Sequence, residues 1–232
     1  MPGERVRTSI VAGEGVPILL SLLDATSVAS SVRVRASGLL SRVATLPTAT
    51  VLLRDGAALG KLARAVEANR KRSGAEDERE HLVRVCACVL SGSKDALAPV
   101  IRAWHESNTI AVIASFLPPA TANARGAITA ESVVMPPQSG RTSGKLAGNA
   151  VKCLVSVMDD PAGPAAQRLI QASAGGGLLE RLVALLANTQ DMAVRKNVAI
   201  VLAKAMRHEP SKNRVRELRG IEMLVQLGPS LK

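Results

Sequence analysis

The sequence predicts an all-α protein built from helical repeats, and three observations lead to this prediction. First, an apolar spacing typical of one helix face recurs, with copies that begin at Val16, Leu59, Ile110, Leu179 and Ile221. Second, successive copies lie 43, 51, 69 and 42 residues apart, and a period near 42 is typical of two- or three-helix solenoid units. Third, the chain has one Trp, one Phe and no Tyr, whereas strands favour aromatic residues.

A second apolar stripe follows the first in four of the units and predicts another helix in each. Its copies begin at Ala36, Cys86, Ala150 and Val198. A short leading segment precedes each first stripe. We therefore expect a three-helix unit of about 42 residues, present four times in full and a fifth time in part, within one domain over residues 1–232.

The distance between the two stripes is larger in the second and third units, which predicts an inserted loop in each. The first loop, 69–80, is charged. The second loop, 118–144, is rich in Pro, Ser, Thr and Gly, and it cannot bury enough apolar surface to order itself. We expect this longer loop to be flexible.

The first and fourth copies resemble the armadillo repeat family. The run Gly15-Val16-Pro17-Ile18-Leu19-Leu20-Ser21-Leu22-Leu23 is similar to the second-helix signature of that repeat, and residues 176–186 repeat the signature. The resemblance implies a right-handed superhelical solenoid whose third helices line a concave face. A HEAT solenoid, which has two helices per unit, is the nearest alternative.

Importin-α-like armadillo proteins hold basic peptides with a Trp and an Asn on each third helix. The matching positions in this chain carry Arg42, Gly92, Ser156 and Lys204. Trp104 falls in a predicted first helix instead. Recognition of nuclear localisation signals is therefore not implied by the resemblance.

The predicted third helices, at 32–45, 82–93, 145–158 and 192–208, contain ten Lys or Arg and no Asp or Glu. Arg207 is one of the ten. The other nine are the candidate residues of a basic concave groove: Arg33, Arg35, Arg42, Arg84, Lys145, Lys152, Arg195, Lys196 and Lys204. A basic groove attracts acidic partners through an effect that weakens with salt. We expect a non-catalytic scaffold that binds an acidic protein or peptide segment.

Two other interpretations of these cations stay open. Lys and Arg are good helix formers, so they also suit the few exposed positions of mostly buried helices. Nucleic acid, RNA included, is the other acidic partner class, because Lys and Arg neutralise phosphates and the net charge is +11. The scarcity of aromatic side chains argues against single-stranded nucleic acid, whose bases stack on such side chains.

The C-terminal part of the sequence contains a candidate second contact, formed by Lys212, Arg214, Arg216 and Arg219. A last repeat also needs a polar outer face, so a solvated helix explains the same run. The fifth unit lacks a third helix. We expect its uncovered apolar surface to take a stacking partner.

Catalytic and metal-binding motifs are absent from the sequence. His81, His105 and His208 are dispersed, and Gly175–Gly177 matches a repeat joint better than a phosphate-binding loop. The three Cys residues lack the spacing of a metal site. We expect neither an enzyme nor a cofactor.

Cellular location is predicted from three features. Apolar stretches are interrupted well short of the roughly 20 residues that a membrane-spanning helix needs. The first residues lack the apolar core of a secretory signal, and an odd number of cysteines on apolar helix faces suits reduced thiols. These features predict a cytoplasmic protein, with the nucleus as the alternative, and no membrane contact.

A second resemblance concerns residues 193–224. This stretch is similar to the C-terminal end of the tetratricopeptide repeat protein 12 family, which joins tetratricopeptide repeats to armadillo repeats and assists axonemal dynein assembly. The resemblance implies a co-chaperone role within a larger protein, because this sequence contains no tetratricopeptide part.

Overall fold

The computed structural model describes residues 2–25, 27–120, 142–171 and 177–227, in which every regular element is an α-helix. The first six helices in chain order are α1 (Pro2–Ala12), α2 (Gly15–Asp24), α3 (Ser30–Val43), α4 (Pro47–Leu53), α5 (Gly56–Arg70) and α6 (Glu76–Val89). The next six are α7 (Lys94–Glu106), α8 (Thr109–Ser115), α9 (Thr142–Val157), α10 (Pro164–Gln171), α11 (Leu178–Asn188) and α12 (Met192–Ala205). The last two are α13 (Glu209–Glu217) and α14 (Gly220–Leu227). This order matches the predicted sets of three, with α3, α6, α9 and α12 as the third helices.

The chain forms two compact units, Met1–Val112 and Ile113–Lys232, and the boundary lies within α8. In the first unit, α2 packs against α5 and α3 packs against α6. In the second unit, α9 packs against α12 and α11 packs against α14. Helices that occupy equivalent places in successive sets therefore lie side by side. The predicted all-α helical repeat is confirmed at this level.

The apolar stripes that predicted the helices supply the core of each unit. In the first unit, the fully buried side chains include Leu20, Leu40, Leu62 and Leu82. In the second unit, they include Leu154, Leu182, Leu186 and Leu202. Each stripe covers the side of a helix that faces its neighbours, so burial of apolar area stabilises the stack.

Aspartate side chains begin two of the longer helices. Asp191 caps α12, because its Oδ1 accepts from the backbone N–H groups of Ala193 at 2.8 Å and Val194 at 3.1 Å. Asp55 begins α5 in the same way and accepts from the N–H of Ala57 at 3.0 Å. These bonds satisfy N–H groups that have no partner inside a helix.

The charged segment 69–80 differs from its prediction as an inserted loop. Residues 71–75 connect α5 to α6, and the rest of the segment is helical. Glu76, Asp77 and Glu78 form the first turn of α6, where carboxylates interact favourably with the positive end of the helix dipole. The prediction that all four third helices lack Asp and Glu is therefore wrong for α6.

The longer predicted loop, 118–144, is described at its two ends. Residues 118–120 follow α8 without regular structure, and α9 already begins at Thr142. The predicted flexibility of 121–141 concerns residues outside the described ranges, as does Gly175–Gly176 of the predicted repeat joint. Gly177 is described and directly precedes α11.

No single helix of the described residues is long and apolar enough to cross a membrane. The segments Arg5–Ala12 and Gly15–Asp24 have the length and composition for a crossing only when they are taken together, and they are bent by 77°.

Candidate functional site

The structure divides the predicted groove cations into those that bind the chain itself and those that face solvent. Arg33 belongs to the first group. It is buried on α3, where its Nε lies 3.5 Å from Oε2 of Glu78 on α6 and its guanidinium also donates to the Val28 carbonyl. Arg72 contacts the other oxygen of Glu78 at 3.0 Å. Arg33 is therefore a packing residue, which corrects its assignment to the groove.

Two further predicted groove cations bind the second unit internally. Lys204 donates to the Val155 carbonyl at 2.9 Å and pairs with Asp159 at 2.6 Å. Arg195 donates to the Thr189 carbonyl, and its Nε is buried without a partner among the described residues. Because the last carbonyls of a helix lack intrahelical acceptor bonds, cations are favourable there, and Lys204 serves the end of α9. Both assignments to the groove are corrected.

Arginines at other positions bind helix ends in the same way. In the first unit, Arg54 donates to the Val89 carbonyl at 3.1 Å and to the Ser91 carbonyl, both at the end of α6. In the second unit, Arg207 donates to the Met158 carbonyl at 3.1 Å, and Arg181 donates to the carbonyl of Ser115, the last residue of α8, at 3.1 Å. Burial lowers the pKa of Arg181. Some of the positively charged side chains therefore form hydrogen bonds within the fold.

Six predicted groove cations are exposed, and their side chains have no hydrogen bond or ion pair within the described ranges. We call them the exposed third-helix cations. They are Arg35, Arg42 and Arg84 in the first unit and Lys145, Lys152 and Lys196 in the second unit.

In the first unit, a glycine lies between two of these cations. Arg35 precedes Gly38 by three residues and Arg42 follows it by four, so all three lie on neighbouring turns of one side of α3. A Cβ added at Gly38 would lie 3.2 Å from Cε1 of His81 on α6. Arg84 comes one turn after His81, so it lies on α6 beside the same part of α3.

His81 is held in place by a hydrogen bond. Its Nδ1 lies 3.3 Å from Oγ of Ser37, the neighbour of Gly38 in sequence. The glycine thus allows the imidazole to approach α3 closely, and the arginines flank this contact. Asp77 and Glu80 lie on α6 seven and four residues before Arg84. Asp77 is exposed and Glu80 is half-buried, so the first-unit surface contains two carboxylates near its cations.

The second unit repeats the cation and glycine spacing on α9, which packs against α12. Gly148 lies three residues after Lys145 and four before Lys152, and a Cβ added there would lie 3.0 Å from Cγ2 of Val194 on α12. Lys196 is two residues after Val194, so the two side chains lie on different sides of α12. Neither α9 nor α12 contains an Asp or a Glu.

Helices α3 and α9 therefore share one spacing. In each helix an Arg or Lys is followed by Gly three residues later, and another Arg or Lys comes four residues after that Gly. Sequence reasoning missed it because the third helices were aligned by their apolar stripes, which set the two motifs one turn apart. A direct search of the third helices for equal cation and glycine spacing would have found it.

Most cations of the predicted second contact bind other side chains of the second unit. Lys212 pairs with Glu209 at 3.2 Å, and Arg216 donates to Oδ1 of Asn213 at 2.9 Å. Arg214 binds Glu217 at 2.8 Å and the buried Glu180 of α11 at 2.6 Å. These two carboxylates raise the pKa of Arg214. Arg219 is exposed with a positive φ of 56°.

In the described part of the chain, no three His, Cys, Asp or Glu side chains come together as metal ligands would. Trp104 lies on α7, the predicted first helix, and is 1% exposed.

Comparisons with known proteins establish the fold. No protein-family model matches the sequence, and no curated protein matches it either. Two crystal structures of engineered proteins from a structural genomics consortium match with a TM-score of 0.64 each. They are 22% and 21% identical to this chain, cover 95% of it, and are themselves covered over 74% and 76% of their length. At this identity the likeness concerns the fold alone.

Proposed function

We propose that this protein is a non-catalytic helical-repeat scaffold that binds an acidic protein segment through the exposed third-helix cations. The observation that carries the proposal is the repeated arrangement of Arg35, Gly38 and Arg42 on α3 and of Lys145, Gly148 and Lys152 on α9. In each unit the flanking cations are exposed and unpaired among the described residues. Such cations attract carboxylates without first breaking an internal ion pair.

The proposal also covers the type of helical repeat. We assign the sets of three helices to the armadillo type, on the resemblance of residues 15–23 and 176–186 to the second-helix signature of that family. In that architecture the third helix lines the concave face, where an extended acidic segment would lie along the cations. A role in axonemal dynein assembly rests on the similarity of residues 193–224 alone.

Nucleic acid is the second candidate, favoured by the net charge of +11. It has less support than an acidic protein segment. Single-stranded nucleic acid is bound by stacking bases on exposed aromatic rings, whereas Trp104 is buried and Phe116 is half-buried.

The test measures binding of a fluorescent oligoglutamate peptide by anisotropy, in parallel with a single-stranded RNA oligonucleotide. The variant carries Arg35→Glu, Arg42→Glu and Arg84→Glu. A matched control carries Arg5→Glu, Lys94→Glu and Arg102→Glu, which makes the same charge change at exposed positions of α1 and α7.

The proposal predicts that the wild type and the control bind the peptide, that the third-helix variant loses about tenfold or more in affinity, and that added salt weakens binding. Equal binding by the two variants would contradict a specific surface. Tight RNA binding at physiological salt together with weak peptide binding would favour nucleic acid instead.

A further inference from the structure

A cavity of about 520 Å³ lies along α5 and α7, within the first unit and away from the third helices. Its apolar wall includes Leu59 and Ala63 of α5 and Ala103 and Trp104 of α7. Small-molecule sites are typically clefts of about 300 to 1,000 Å³ with mostly apolar walls. The cavity therefore has the size and lining of a ligand site.

Two glycines of α5 line this cavity, and neither is needed for packing within the described chain. A Cβ added at Gly56 would meet nothing within 4 Å. At Gly60 it would meet only the flexible end of Arg64, at 3.5 Å. Glycine inside a helix costs about 0.5 to 1 kcal/mol relative to alanine. The helix thus keeps open a space that a side chain could fill.

Trp104 contributes to the wall of the cavity. Its side chain lines the cavity and is almost wholly buried. Its Nε1–H is buried and has no hydrogen-bond partner among the described residues. Because this N–H is closed off from solvent, Trp104 presents a mainly apolar surface to a molecule in the cavity.

The cations at the rim of the cavity are held in ion pairs. Arg64 forms two hydrogen bonds with Asp24, at 2.8 and 2.7 Å. Lys71 and Arg70 both pair with Glu67, at 3.3 and 2.8 Å. Hydrogen bonds from Arg64 and from Arg70 hold the pKa values of Asp24 and Glu67, respectively, below their ordinary values, so both carboxylates stay charged. Because each of these cations already has a carboxylate partner, the rim favours an uncharged ligand over an anion.

We infer that this cavity binds a small, uncharged, mainly apolar molecule. The inference goes beyond the proposed function and does not depend on it, because the exposed third-helix cations take no part in the cavity.

The chain supplies its own reporter, since Trp104 is the single Trp and there is no Tyr. The wild type is titrated with the neutral apolar fluorophore N-phenyl-1-naphthylamine, and energy transfer from Trp104 is followed. The charged counterpart, 1-anilinonaphthalene-8-sulfonate, has the same ring system and tests the charge preference. Gly60→Leu fills the cavity from α5, and Ala103→Leu narrows it from α7. The matched control, Ala57→Leu, adds the same side chain to an exposed position of α5 that does not line the cavity.

The neutral probe is expected to bind saturably and to quench Trp104 emission. Gly60→Leu and Ala103→Leu should each weaken binding about tenfold or more, while Ala57→Leu should bind as the wild type does. Thermal unfolding checks that each variant is folded, and either cavity variant suffices for the test. The inference is overturned if the neutral probe does not bind, if a folded cavity variant binds it unchanged, or if the sulfonate binds more tightly at the same site.

Discussion

Arg33 of α3 and Glu78 of α6 form a buried ion pair that joins the two third helices of the first unit, with 3.5 Å between Nε and Oε2. Arg72 completes the arrangement on the other oxygen of Glu78, at 3.0 Å. The cluster places two cations around one buried carboxylate. It removes Arg33 from the surface and anchors the α6 turn that the sequence assigned to a loop.

Removal of one partner from this cluster should strongly destabilise the protein. Glu78→Ala leaves Arg33 buried without its carboxylate, and breaking a buried pair in this way costs about 3 to 5 kcal/mol. Urea denaturation measures the free energy of unfolding of each variant. Glu76→Ala is the control, because Glu76 is exposed in the same helical turn and should cost little. A loss of less than about 1 kcal/mol for Glu78→Ala would contradict the structural role.

Lysines of α12 should divide into structural and surface residues. Lys204→Ala removes bonds to Val155 and Asp159 and should cost about 1 to 3 kcal/mol, since hydrogen bonds to charged groups are stronger than neutral ones. Lys196→Ala removes an exposed side chain that is unpaired within the described ranges and should leave stability within about 0.5 kcal/mol. Equal thermal shifts for the two variants would contradict this division.

Substitution by alanine should change stability differently at two helical glycines. At Gly60 the new Cβ has room, so Gly60→Ala should stabilise α5 by about 0.5 to 1 kcal/mol. At Gly148 the new Cβ would lie 3.0 Å from Cγ2 of the buried Val194, so Gly148→Ala should gain nothing or destabilise the second unit. Unfolding midpoints compare the two. Stabilisation by Gly148→Ala would show that α9 and α12 are not closely packed there.

Acid should weaken the contact between α2 and α5. The bond from Arg64 lowers the pKa of Asp24 in the folded state, so the charged form is favoured by folding. Its contribution is complete above the ordinary Asp pKa of about 4 and is lost as the pH falls through the lowered folded value. The stability difference between the wild type and Asp24→Asn should therefore shrink in acid. Urea midpoints at neutral and acidic pH measure this difference.

The control for that experiment is Asp95→Asn. Asp95 is exposed and has no bonded cation in the described ranges, so its difference from the wild type should change less with pH. A difference for Asp24→Asn that stays constant or grows in acid would contradict the assigned bond.

The helices were predictable because their signal is local. Apolar residues such as Leu19, Leu40 and Leu202 recur at helical spacing, and the spacing persists whatever each helix packs against. The cap at Asp191 was predictable for the same reason. The start of α6 was not predictable, because a run of charged residues is typical of a loop. Glu78 is neutralised by Arg33, which is 45 residues away in the sequence.

The candidate surface was only partly predictable. Lys196 and Lys204 lie on the same helix with the same charge, yet only Lys204 reaches a carbonyl, that of Val155, 49 residues earlier. A carbonyl acceptor so distant along the chain cannot be recognised from the residues that surround the lysine in the sequence. The roles of Gly38 and Gly148 were hidden likewise, because each depends on a side chain of the neighbouring helix.

The most direct test of the central claim is an affinity pull-down from cell lysate, with and without nuclease, using the wild type, the triple variant Arg35→Glu, Arg42→Glu and Arg84→Glu, and the control Arg5→Glu, Lys94→Glu and Arg102→Glu. The account predicts nuclease-resistant protein partners that bind the wild type and the control, elute with salt and are lost with the third-helix variant. Partners that the third-helix variant retains in full, or that disappear with nuclease, would contradict it.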